Sequence, residues 1–165
     1  MVNKNCIDTC YCEYGKVSDP TLIMIHGLGL NKDVWQWQVP IFKDNFRVIT
    51  YDLYGHGQSH KPIETPSLST FSQQLSNLMM FLNVDRATIF GFSLGGMIAR
   101  RFAQDEPKRT ERLVILNSPH KRTQKAQVAI LGRVEQAKKD GAKATVEAAL
   151  ERWFTPDFRV SKPEV

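Results

Sequence analysis

The sequence predicts an α/β fold, a mostly parallel sheet with helices on both faces. Two observations predict it. Four short apolar runs, Thr21–Ile25 and residues 46–51, 87–90 and 113–116, are closed by glycine or polar turn residues, as strands buried on both faces require. Helical periodicity fills the intervals before and after the third run, and strand–helix–strand alternation calls for parallel strands with crossover helices.

Taken in order, residues 8–14 alternate enough to be a strand or half of a hairpin. Cys10 and Cys12 lie two apart and therefore on the same side of that strand. With Cys6 they are the only cysteines, and no second Cys or His pair follows at zinc-ligand spacing. Reduced strand cysteines and no metal are expected. The run TLIMI stops at His26-Gly27, and FRVITY (46–51) ends at Asp52 and a glycine-rich turn. Residues 69–82 put Phe71, Leu75, Leu78, Met79 and Leu82 at helical spacing, with Ser69 as the N-cap. ATIF (87–90) ends at Gly91, a helix over 94–104 follows and stops ahead of Pro107, and LVIL (113–116) is the last strand.

After Pro119 the pattern changes. Residues 120–154 read as helical sequence broken by Gly132 and Gly141, and 155–165, with two prolines, read as a loop. The expected organisation is a core over 1–119 and a partial helical cap over 120–165, amphipathic and without a core of its own.

Composition narrows the function classes. Of 165 residues, 42% are hydrophobic and 24% charged, as in ordinary soluble domains. There is no apolar run of membrane-spanning length, and no apolar stretch follows Lys4 as in a secretory signal, so a cytoplasmic protein without membrane association is expected. The net charge of +5 comes from residues 100–165, where 15 Lys and Arg face 9 Asp and Glu. Those positives are interleaved with Glu135, Asp140, Glu147 and Glu151 and lack interspersed aromatics, which reads as a solvated helical face and not a nucleic-acid surface.

Three motifs carry chemistry. Gly91-Phe92-Ser93-Leu94-Gly95, followed by Gly96, joins a buried strand directly to a helix, the setting of a nucleophile elbow. Such a turn forces the serine into a strained backbone conformation, while Gly91 and Gly95 let neighbouring elements approach. Ser93 would then stand at a helix N-terminus, whose dipole favours developing negative charge. His26-Gly27-Leu28-Gly29 follows the TLIMI strand. An oxyanion hole needs two converging backbone N–H groups, and those of Leu28 and Leu94 are the candidates. His26 and Gly27 would shape that loop. Asp52-Leu53-Tyr54-Gly55-His56-Gly57-Gln58-Ser59 makes a tight turn in which Asp52 and Ser59 can bond the amides. It lacks the third glycine and immediate helix of a dinucleotide-binding loop.

In this order, HGLG, DLYGHGQS and GFSLGG resemble the α/β-hydrolase superfamily. With the stretch EAALERWFTPDF (147–158) the likeness is greatest to 3-oxoadipate enol-lactonases and their relatives. The resemblance implies a serine hydrolase acting without cofactor on a small-molecule ester or lactone, with Ser93 attacking the carbonyl. It also implies an acid and then a histidine after Ser93 in chain order. Only His120 follows Ser93, at the head of the cap, and Asn117 stands where some relatives carry an acid. The sequence is therefore expected to be the front part of a hydrolase, incomplete at its C-terminal side. The alternatives are an inactive remnant or ligand-binding module, and an assembly in which another chain supplies the two groups. The 113–116 strand would be left as an exposed sheet edge, open to self-association.

Overall fold

The structure, a computed structural model, describes residues 4–6, 8–121 and 123–163. Six strands, β1 (Lys4–Cys6), β2 (Thr9–Tyr14), β3 (Thr21–Ile25), β4 (Arg47–Tyr51), β5 (Ala87–Phe92) and β6 (Thr110–Leu116), form one sheet in the order β1-β2-β4-β3-β5-β6. The pairs β3–β4, β3–β5 and β5–β6 are parallel. The hairpin β1–β2 adds to β4 antiparallel. Residues 8–14 are thus half of a hairpin.

Side-chain alternation sorts the apolar runs onto two faces. Ile23, Ile25, Ile49, Tyr51 and Ile89 pack beneath α2 (Leu68–Phe81) and α3 (Leu94–Asp105), whose Leu75, Leu78, Met79, Ile98 and Phe102 complete the larger core. Leu22, Met24 and Val48 point the other way. They are covered by Trp35 of the 3-10 turn Lys32–Trp35 and Val39 of the short helix α1 (Val39–Phe42). β6 is the edge of the sheet, with Leu113 and Leu116 about two-fifths exposed.

Several boundaries differ from the sequence reading. Both β5 and β6 are longer than their apolar cores, because paired backbone continues into Gly91-Phe92 and back to Thr110. The N-cap of α2 is Ser67, not Ser69. Ser67 Oγ accepts the Thr70 N–H and Thr70 Oγ1 accepts the Ser67 N–H, both at 3.1 Å, a reciprocal capping box. The partner Ser69 would need three residues on is Ser72, which is buried and spends its hydroxyl on Asp105 at 2.7 Å.

Contacts divide the chain into Met1–His120 and Lys121–Val165. The second unit holds α4 (Gln124–Asp140), a 3-10 turn (Ala142–Thr145), α5 (Val146–Trp153) and α6 (Pro156–Ser161), and none of the described residues of its α-helices is buried. Gly132 does not break α4. An isolated glycine in a helix costs about 1 kcal/mol without ending it, and α4 runs on to Gly141, whose φ of 83° does end it. Residues 156–161, read from sequence as loop, are helical. Thr155 Oγ1 accepts the Phe158 N–H at 3.3 Å, and Pro156 occupies a first-turn position where its missing N–H costs nothing. Among the described residues no helix is long and apolar enough to cross a membrane, and no cluster of three His, Cys, Asp or Glu side chains is placed to hold a metal ion.

Candidate active site

Four strands, β3, β4, β5 and β6, deliver the three sequence motifs and residues 117–119 from their carboxyl ends, the side where open α/β sheets bind ligands. Ser93 stands between β5 and α3 with φ 54° and ψ −111°, a region that costs a non-glycine residue about 1–3 kcal/mol. Its side chain makes no capping hydrogen bond to the helix it precedes. The strain therefore does not serve to start α3. Its amide donates to the Leu116 carbonyl at 2.9 Å, and its carbonyl accepts from Gly96 and Met97.

The glycines around it answer to three separate neighbours. A Cβ on Gly91 would run into the Gly95 carbonyl, and one on Gly95 into the carbonyl oxygens of Ile25 and His26. One on Gly96 would lie 2.5 Å from Ser118 Cβ. The first turn of α3 is in this way seated on the ends of β5 and β3 and against the segment leaving β6. Leu94 opens α3, so its N–H belongs to the first four of the helix, which have no intrahelical acceptor.

The HGLG loop lies directly beside the serine. A Cβ on Gly27 would be 3.3 Å from Ser93 Cβ and 3.1 Å from the Phe92 ring. Gly27 O accepts from Leu30 N–H at 3.3 Å, and Gly29 takes φ 77°, which turns the chain over Leu28, whose side chain is exposed. His26 is fully buried and uses both ring nitrogens. Nδ1 lies 2.8 Å from the Gly27 carbonyl and must donate to it, while Nε2 accepts the Leu53 N–H at 3.0 Å. The imidazole is held neutral in one tautomer and joins the HGLG loop to the turn after β4. Burial pushes its pKa down to about 4. The edge-on His56 ring adds to the fall, and the Gly27 carbonyl and Asp52 oppose it.

Asp52, also fully buried, braces the same turn. Its carboxylate accepts the Lys32 N–H at 2.7 Å and the Gln58 N–H at 2.9 Å, and Gly57 leaves room for it. Ser59 Oγ donates to the Asp52 carbonyl at 2.6 Å and accepts the Cys10 N–H at 2.9 Å. Sequence reasoning found Asp52 and Ser59 but missed Lys32, Gln74 and Arg100. Gln74 Nε2 donates to the Asp52 carbonyl at 3.0 Å and its Oε1 accepts the Tyr54 N–H at 3.1 Å. A buried glutamine on the apolar side of α2 was the available signal. A groove of about 450 Å³ lined by Tyr14, Lys32, Trp35, Val39 and Lys43 does not include Ser93.

Residues 20–151 match the family described as alpha/beta hydrolase fold. The chain belongs to that family. A 3-oxoadipate enol-lactonase of Acinetobacter baylyi is 32% identical over 155 residues, which cover 94% of this chain and 57% of that protein. An (E)-2-((N-methylformamido)methylene)succinate hydrolase of the same organism is 31% identical over 144 residues, 87% of this chain and 53% of that protein. The crystal structure of the enol-lactonase from Burkholderia xenovorans superimposes with a TM-score of 0.85 at 28% identity, covering 94% of this chain and 60% of that one. The hydrolase-fold chain thus spans little more than half the length of these relatives. Among its described residues no histidine nitrogen or carboxylate bonds to the Ser93 hydroxyl; His26 is committed at both nitrogens, and His56 Nδ1 lies 3.1 Å from the Tyr54 carbonyl.

Proposed function

We propose that Ser93 is the nucleophile of a serine hydrolase that opens a carboxylic ester or lactone through an acyl-enzyme. The observation that carries this is the backbone of Ser93, held at positive φ between strand and helix with its hydroxyl left out of the helix cap. A structural serine at a helix start would relax and cap. The Leu28 and Leu94 amides form the oxyanion hole, one from the loop that touches Ser93 and one from the first turn of α3, whose dipole adds to the charge stabilisation. The lactonases among the relatives support the ester or lactone class. Lys121–Val165, with apolar side chains such as Leu131, Val134 and Trp153 exposed, is part of a helical cap.

Serine at its ordinary pKa needs a histidine base oriented by a carboxylate. These residues supply the nucleophile and the oxyanion amides; the acid and the histidine come from sequence outside this chain. A serine-reactive fluorophosphonate and p-nitrophenyl acetate test both halves of the reading. The 165-residue chain is expected to show no turnover that depends on Ser93, and the same chain joined to a C-terminal region carrying an aspartate and a histidine is expected to label at Ser93. Turnover by the short chain that Ser93→Ala abolishes would refute the incompleteness. An extended, folded protein that leaves Ser93 unlabelled would refute the nucleophile and favour an inactive, ligand-binding relative.

A further inference from the structure

Arg100 lies four residues after Gly96 in α3, on the same face of the helix. Helical side chains lean toward the N-terminus, and this carries the guanidinium back over Gly96. There Nη2 donates to Ser118 Oγ at 3.2 Å and to the Pro119 carbonyl at 2.6 Å. Ser118 can reach this place only because Gly96 has no side chain, as a Cβ there would be 2.8 Å from its Oγ. Two residues earlier, the Leu116 carbonyl receives the Ser93 amide. The first two turns of the serine's helix therefore grip residues 116, 118 and 119 in succession.

That grip spans two strained positions. Ser93 has φ 54° and Asn117 has φ 40°, and they stand on either side of the one hydrogen bond from Ser93 N–H to Leu116 O. Backbone of this kind persists only where its surroundings over-determine it. Pro119 keeps Ser118 out of helical dihedrals, so the segment cannot relax by coiling. It can relax by swinging away from α3, which would turn the Leu116 carbonyl off the Ser93 amide.

We infer that Arg100 is a positioning residue for the Ser93 turn, acting through Ser118, Pro119 and the Leu116 carbonyl. Its meaning for catalysis rests on Ser93 being the nucleophile; the positioning itself does not. Residue-resolved amide hydrogen exchange on the full 165-residue chain tests it without any measurement of turnover. In Arg100→Met, which keeps an aliphatic stem and a good helix former, the Ser93 amide is expected to exchange roughly tenfold faster, the scale of losing a charge-assisted hydrogen bond. Amides of the central strands, such as Ile23 and Ile49, keep their rates. Ser118→Ala, which removes one acceptor and leaves the Pro119 carbonyl, gives a smaller acceleration at the same amide and needs no change in α3. An unchanged Ser93 rate in both variants overturns the inference. So does a uniform acceleration of every core amide, which would make Arg100 a general stabiliser. An unlabelled Ser93 in the probe experiment, by contrast, leaves the exchange result standing.

Discussion

His26 has its charge state dictated by its two hydrogen bonds. With Nδ1 donating to the Gly27 carbonyl and Nε2 accepting from Leu53, a proton on Nε2 would set two donors against each other in a fully buried site. The folded pKa is lowered from 6.5 to about 4, first by burial. The unfolded chain therefore binds more protons than the folded one between those values, and stability rises with pH across that window. The contribution is complete above pH 6.5, falls as pH drops, and is gone below pH 4. A shift of that size is worth about 3 kcal/mol in total, of which about 2 kcal/mol is already lost at pH 5. Losing it unhooks the loop carrying Leu28 from the turn after β4.

Two measurements follow. The His26 ring protons, followed by NMR, are expected to stay unshifted from pH 7.5 down to 5. Urea unfolding of the wild type and His26→Gln across pH 4.5–7 isolates the His26 share, since carboxylates such as Asp105, held below the usual carboxylate range first by its hydrogen bond from Arg101, contribute alike to both. The stability gap between the two proteins should shrink as pH falls. An ordinary His26 titration near 6.5, or a gap independent of pH, would refute the tautomer assignment and with it the bridge between the two loops.

Three further predictions concern the elbow and α4. Gly95→Ala places a methyl against the Ile25 and His26 carbonyl oxygens, backbone that cannot step aside, and should lower urea-unfolding stability by about 2 kcal/mol or more; Gly132→Ala, facing open space inside α4, should raise the helical content and the stability of that helix by up to about 1 kcal/mol. Ser93→Gly relieves a φ of 54° and should stabilise the fold by about 1 kcal/mol. A loss of stability in Ser93→Gly would mean that the serine is there for structure.

The parallel strands were legible because a strand covered on both faces leaves an uninterrupted apolar run, and TLIMI coincides with β3 to the residue. The helix after Gly91 was legible for a related reason, since its apolar positions meet a continuous core. Where a feature depends on a choice between similar local signals, sequence gave the wrong one. Ser67 and Ser69 both precede the same apolar stripe, and what decides between them is that the Thr70 hydroxyl reaches back to Ser67 while that of Ser72 is committed to Asp105. Pro156 was read as a breaker because proline is both a stop and a start, and the Thr155 cap that makes it a start is visible only once the backbone turns.

The site divides along the same line. Gly91-Phe92-Ser93-Leu94-Gly95 announces a turn, but the reason for each glycine lies outside its own element or further along the chain: Gly91 of β5 faces the first turn of α3, Gly95 the end of β3, and the next, Gly96, the segment after β6. Arg100 left no pattern because it binds the Pro119 carbonyl, and Lys32 left none because it acts through its own amide, which donates to Asp52; a carbonyl or amide has no sequence signature. What holds Ser93 in its strained conformation is thus mostly backbone from the ends of β3, β5 and β6. A motif match alone therefore does not carry the geometry; a chain with GFSLG but without a small residue at 96, or without a donor reaching residues 118 and 119, should show the same turn in sequence and a looser serine in solution.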